Sequence, residues 1–122
     1  MSDFQSLLAS NQYVSKIVLG ANADQVDQGR LFPRENIKAL GQAGLFGLLV
    51  PAEFGGAGGG LAEMSQVLDV QAQNCSSTAM VMLMHYCATA VISSKGSNKL
   101  KQQILPAMAR GEHLGTLAFS VS

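Results

Sequence analysis

Few residues in the chain have chemistry to offer. His85 is the natural candidate for a general base or a metal ligand, since imidazole titrates near neutral pH. It stands in the apolar stretch Ala79–Ile92 with no carboxylate at helical spacing to orient it, and so reads as a core or interface histidine. Cys75 and Cys87 lie twelve positions apart without a CxxC or Cys/His ligand pattern, so a metal site is not expected. Three turns of helix would hold the two about 18 Å apart, too far for a disulfide, and a reducing compartment fits this usage best. Ser76, Ser77 and Thr78 are first of all helix caps. The acids Glu35, Glu53, Glu63 and Glu112 each fall near a helix end or a loop, and none forms a pair.

The segment Gly55–Gly60 holds five glycines in six residues. It lacks the GxxxxGK[ST] pattern and follows no strand with GxGxxG, so it reads as an interhelix connection that needs positive φ rather than a phosphate cradle. Met80, Met82 and Met84 suit either a soft packing surface or the lining of a pocket for an alkyl chain, and periodicity does not separate the two. By residue chemistry alone, no active site is visible.

These residues must be held by a single small domain. The chain has 122 residues, 48% hydrophobic and only 13% charged, against about 25% charged in a typical soluble domain. Such a chain can bury roughly two-thirds of its unfolded surface. The composition excludes simple disorder and leaves apolar surface over, which hints at missing partner surface. Eight basic and eight acidic residues give zero net charge, so nothing draws a nucleic acid or an anionic membrane. Lys95, Lys99 and Lys101 cluster around one turn and read as a solvated helix end. The N-terminus shows no signal peptide. The longest apolar run, 14 residues from Ala79 to Ile92, is too short to span a bilayer and reads as a buried helix.

Helical periodicity organises the rest. A first helix is expected over residues 4–29, closing at Gly29. A second starts at Phe32-Pro33-Arg34-Glu35, with proline in the first turn and an acid at the positive end of the dipole, and stops at Gly44. A third begins near Leu61, with Leu61, Met64, Leu68 and Gln71 in one stripe and Val67 beside it. The fourth, capped within Asn74–Thr78 and running to Ser94 or Lys95, is apolar on nearly every face and should be the central helix of a bundle. The fifth, capped by Ser97, carries Leu100, Ile104, Leu105 and Met108. It should break near Gln103 or restart at Pro106, and Gly111 stops it. Residues 116–122 have the look of a strand without a partner. The fold class is therefore all-α, an orthogonal or up-down bundle of about five to six helices, with a short C-terminal strand that starts something absent.

The sequence carries, in order, Phe32-Pro33-Arg34-Glu35, then Ala43-Gly44-Leu45-Phe46-Gly47-Leu48-Leu49-Val50-Pro51-Ala52-Glu53-Phe54-Gly55-Gly56. Cys75-Ser76-Ser77-Thr78-Ala79-Met80 and His85 follow, and then Gly96-Ser97, Leu105-Pro106 and Gly111-Glu112. Each piece is weak alone, but the set at this spacing, over about residues 22–122, resembles the N-terminal helical domain of the acyl-CoA dehydrogenase family.

That resemblance implies an N-terminal helical domain over residues 1–115, with residues 116–122 as the first strand of a middle β-domain. A C-terminal helical bundle, an FAD cofactor and a homo-oligomer, usually a tetramer, come with the family. So does the α,β-dehydrogenation of acyl-CoA to 2-enoyl-CoA, in which a C-terminal glutamate takes the α-proton and the flavin receives hydride. The thioester oxygen must be hydrogen-bonded for that proton to become acidic enough, and the flavin supplies the redox chemistry. By the same resemblance, Phe119, Val121 and Ser122 match flavin-contacting positions, and Ala79, Met80 and Leu83 match positions lining the acyl-chain cavity. On a helix those last three span about 100° of one face, with His85 roughly opposite.

The expected partners are acyl-CoA and the middle and C-terminal domains of the same enzyme. No catalytic residue falls in these 122, so the chain alone is expected to be inactive. The compartment is a bacterial cytoplasm or a mitochondrial matrix. A related flavin-dependent monooxygenase, in which His85 gains interest, and a stand-alone helical interaction module remain the alternatives.

Overall fold

The computed structural model describes residues 4–21, 33–112 and 114. Within them lie five α-helices: α1 (Phe4–Val14), α2 (Arg34–Gln42), α3 (Leu61–Asn74), α4 (Ser76–Lys95) and α5 (Asn98–Ala109). Single 3₁₀ turns at Leu45–Gly47 and Ala52–Phe54 lie between α2 and α3. No strand occurs among the described residues.

The first helix is more complex than a plain α-helical stretch. Leu7, Asn11, Ser15 and Leu19, spaced by four, are all buried. On an ideal α-helix residues four apart drift by about 40° per step, so such a row winds off its face. One π-helical turn, Ser15–Leu19, follows α1 and widens the spiral there, with the Gly20 N–H bonded to the Ser15 carbonyl. The expected closure at Gly29 and the polar part from Asn22 lie outside the described residues.

α2 starts after Pro33, whose carbonyl accepts from the Ile37 N–H at 3.0 Å. It ends at Gly44, where φ is +88°. The glycine connection is closed on itself. The backbone N–H groups of residues 54 to 60 all donate within the loop and its flanks, including Ala57 to Gly47 O, Gly58 to Val50 O, Gly59 to Leu48 O and Gly60 to Glu63 Oε1. Gly55 and Gly58 have φ of +91° and +70°. A loop whose donors are spent in this way has none to aim at a phosphate.

α3 and α4 are joined by Cys75 alone, in extended conformation. Cys75 occupies the N-cap of α4 without a side-chain cap, which corrects the expected polar cap. Asn74 instead donates back to the Val70 carbonyl within α3, and the Thr78 hydroxyl reaches the Cys75 sulfur at 3.2 Å. The stripe on α3 also needs correcting. Val67 and Gln71 are its buried centre, while Leu61 is 75% exposed. Six residues upstream of Val67, Leu61 is rotated about 120° off that centre.

α5 begins at Ser97, whose hydroxyl accepts from the Leu100 N–H. It runs unbroken through Pro106, against expectation. Proline there costs the donor for the Gln102 carbonyl. Leu105 and Met108, both fully buried on either side of it, hold the last turn down.

Two apolar clusters result. The larger gathers Leu7, Leu19, Ile37, Leu40, Leu45, Phe46, Leu48, Val67, Met82 and Tyr86; the smaller joins Val50, Ile92, Leu105 and Met108. α4 contributes to both and is the central helix. At 20 residues it is longer than its apolar stretch, and length and composition alone would let it cross a membrane. Its position in the core, with His85, Thr78 and Thr89 buried and bonded, marks it as the inner helix of the bundle.

Candidate functional site

α4 is fixed in rotation by polar bonds made from its buried side. The Asn36 amide donates to the Thr78 hydroxyl at 3.0 Å. His85 Nε2 bonds the Phe46 carbonyl at 2.8 Å, and the Tyr86 hydroxyl donates to the Leu45 carbonyl at 2.8 Å. The two side chains thus hold consecutive carbonyls of one 3₁₀ turn. The Thr89 hydroxyl donates to the His85 carbonyl at 2.8 Å and lies 3.6 Å from the Met108 sulfur. Buried polar groups are costly to leave unpaired, so the bonds to Asn36, Phe46 and Leu45, which lie outside the helix, each resist its rotation. Burial pushes the Tyr86 phenol far above its usual range, and the Gln71 side chain beside it pulls the other way without offsetting this.

Fixing that side decides which face stays open. Met80 is 59% exposed, Met84 37% and Val91 42%, with Leu83 and Cys87 half-buried beside them. The spacing 80, 84, 87, 91 keeps a narrow apolar seam along one side of the helix. No Lys, Arg, Asp or Glu occurs from Val70 to Ser94. The face is therefore apolar and uncharged for some three turns.

The six residues singled out in the sequence fare differently. Met80 and Leu83 lie on the open face; Ala79, 8% exposed, sits at its inner edge. Phe119, Val121 and Ser122 lie outside the described residues, as does the expected strand 116–122. His85 is fully buried on the opposite side, its ring 4.8 Å from that of Phe46. The methionines divide: Met82 fills the core, whereas Met80 and Met84 face outward. Met84 was read from the sequence as packing surface or alkyl-pocket lining; Cys87 and Val91 were not placed on this face, although their successive spacing of three and four from Met84 was there to find.

Chemically the open face can bind an apolar group and exclude water, and α4 carries no acid or base on it. Among the described residues no group of three His, Cys, Asp or Glu side chains could hold a metal ion. Two shallow grooves lie elsewhere. One, of about 250 Å³, is lined by Leu8, Asn11, Gln12, Gln66, Asp69 and Val70; the other, of about 450 Å³, includes Arg34, Glu35 and Lys38. Neither involves the open face of α4.

Comparison with known proteins follows the same outline. The family model for the acyl-CoA dehydrogenase N-terminal domain matches residues 9–112. An acryloyl-CoA reductase (NADH) of Anaerotignum propionicum is 32% identical over 106 residues, covering 87% of this chain and 27% of the relative. A short-chain specific acyl-CoA dehydrogenase of Clostridium acetobutylicum is 33% identical over 95 residues, covering 76% and 25%. The solved butyryl-CoA dehydrogenase of Megasphaera elsdenii superposes with a TM-score of 0.81 at 19% identity, over 93% of this chain and 31% of that one. The chain thus spans about a quarter of the length of the curated relatives it matches.

Proposed function

Since the chain belongs to the acyl-CoA dehydrogenase family, as its N-terminal domain, we propose that it forms one wall of the acyl-chain site in an FAD-dependent acyl-CoA dehydrogenase. The reaction is removal of hydrogen across the α,β bond of an acyl-CoA thioester, giving the 2-enoyl-CoA. The observation that carries this reading is the uncharged, uncovered stripe of α4, in a chain matched by that family over residues 9–112.

The part played by this chain is binding and exclusion of water. Met80 and Leu83 present the contact surface, with Ala79 at the floor of its edge. Each methylene of an alkyl chain buried there contributes about 0.8 kcal/mol. Thioether side chains adapt to an irregular aliphatic ligand at little cost. FAD, when bound, supplies the hydride acceptor, and Phe119, Val121 and Ser122 are the positions assigned to touching it. The base belongs to the remaining chain of the enzyme, so these 122 residues alone give no turnover. In this reading the middle and C-terminal domains close over the α4 stripe, the assembly is a homo-oligomer, and the compartment is a bacterial cytoplasm or a mitochondrial matrix.

A second reading, reduction of a 2-enoyl-CoA, is favoured by the 32% identity to the acryloyl-CoA reductase. It works the same carbon–carbon bond in the opposite direction and needs the same acyl-chain wall. The test uses the complete protein purified from its own source. A flavin spectrum with anaerobic conversion between butyryl-CoA and crotonyl-CoA supports the proposal, and the preferred electron partner gives the direction. A flavin spectrum with oxygen-dependent hydroxylation and no enoyl-CoA would overturn it in favour of a monooxygenase. A colourless 12.8 kDa species would leave only a stand-alone module.

A further inference from the structure

We draw no further inference here: the strongest candidate, the uncovered apolar stripe of α4 from Met80 to Val91, belongs to the site already described, and nothing in the structure shows what else would cover it.

Discussion

His85 and Phe46, thirty-nine residues apart, are joined by a 2.8 Å bond from ring nitrogen to backbone carbonyl. A carbonyl oxygen only accepts, so Nε2 carries the proton and the tautomer is fixed. The neighbouring pair, Tyr86 and Leu45, repeats the arrangement one residue on. Together they clamp the 3₁₀ turn against α4 and turn the Met80 face outward. The histidine that looked most like a catalytic group therefore orients the helix whose other side stays exposed.

Replacing His85 tests that role. His85→Ala removes a fully buried ring and leaves the Phe46 carbonyl without its donor. The expected loss is about 2–4 kcal/mol, read as a fall in Tm of the 122-residue chain. His85→Gln, whose amide can reach a similar point, should recover part of it. If the alanine variant melts with the wild type, the clamp is not holding the helix.

Met80 and Met82 should separate binding from stability. Met80→Glu puts a charge on the open face and, at 59% exposure, should leave Tm within about 0.5 kcal/mol of wild type. In the complete enzyme it should raise KM for a butyryl or longer thioester at least tenfold, since a carboxylate must be desolvated against the alkyl chain. Met82→Ala should do the reverse, costing about 2–5 kcal/mol of stability with an unchanged KM. An unchanged KM for Met80→Glu would remove Met80 from the acyl-chain wall.

What could be read in the sequence follows from where the information lies. The centrality of α4 was legible because an all-round apolar helix has nowhere else to go. Gly44 and Gly111 were legible because positive φ selects glycine locally. The partner of His85 was not, since a backbone carbonyl leaves no trace in residue type. Leu61 was misplaced because a stripe of i, i+3, i+7 spacing fixes a helix's phase only once its neighbours are known. Pro106 was misjudged because tertiary burial of Leu105 and Met108 outweighs a local penalty. The 79, 80, 83 triplet came from resemblance; the structure itself shows only that Met80, Met84 and Val91 are exposed along one side of α4.

Asn11 and Gln71 tie the first helix to α3. The Gln71 amide donates to Asn11 Oδ1 at 2.9 Å, and the Asn11 amide to the Val67 carbonyl at 3.1 Å, all fully buried. Either single alanine variant should cost about 2–3 kcal/mol, because it strands buried polar groups. The double variant should fall short of the sum by about 1 kcal/mol, the signature of direct coupling. Strict additivity in chemical denaturation would show that the pair does not act as a unit.

Gly111 and Gly60 should respond oppositely to a side chain. Gly111 has φ of +79°, and a Cβ there would run into the Gly41 carbonyl of α2. Gly111→Ala should therefore cost more than about 2 kcal/mol, from backbone strain and clash together. Gly60 is extended at the N-cap of α3, and a Cβ there would meet only the Glu63 carboxylate, at an ordinary contact distance of 3.6 Å. Gly60→Ser supplies a capping hydroxyl and should be neutral or stabilising by a few tenths of a kcal/mol. Equal Tm shifts for the two would refute the distinction.

Tyr86 predicts an alkaline limb in the stability curve. Burial raises its folded-state pKa far above the unfolded value of about 10. Below pH 10 both states keep the proton, so the contribution of the buried phenol is complete. Above it the unfolded chain releases a proton that the folded chain retains. Stability then falls with rising pH, by up to about 1.4 kcal/mol per unit from this group. Tyr86→Phe removes the titration but deprives the Leu45 carbonyl of its donor, costing about 1–2 kcal/mol at pH 7. The gap between wild type and variant should therefore narrow from pH 10 to 11. Urea unfolding at pH 7, 10 and 11 measures it. Parallel curves across that range would mean that the phenol ionises in the folded protein as readily as in the unfolded one, and that the clamp on Leu45 is open to water.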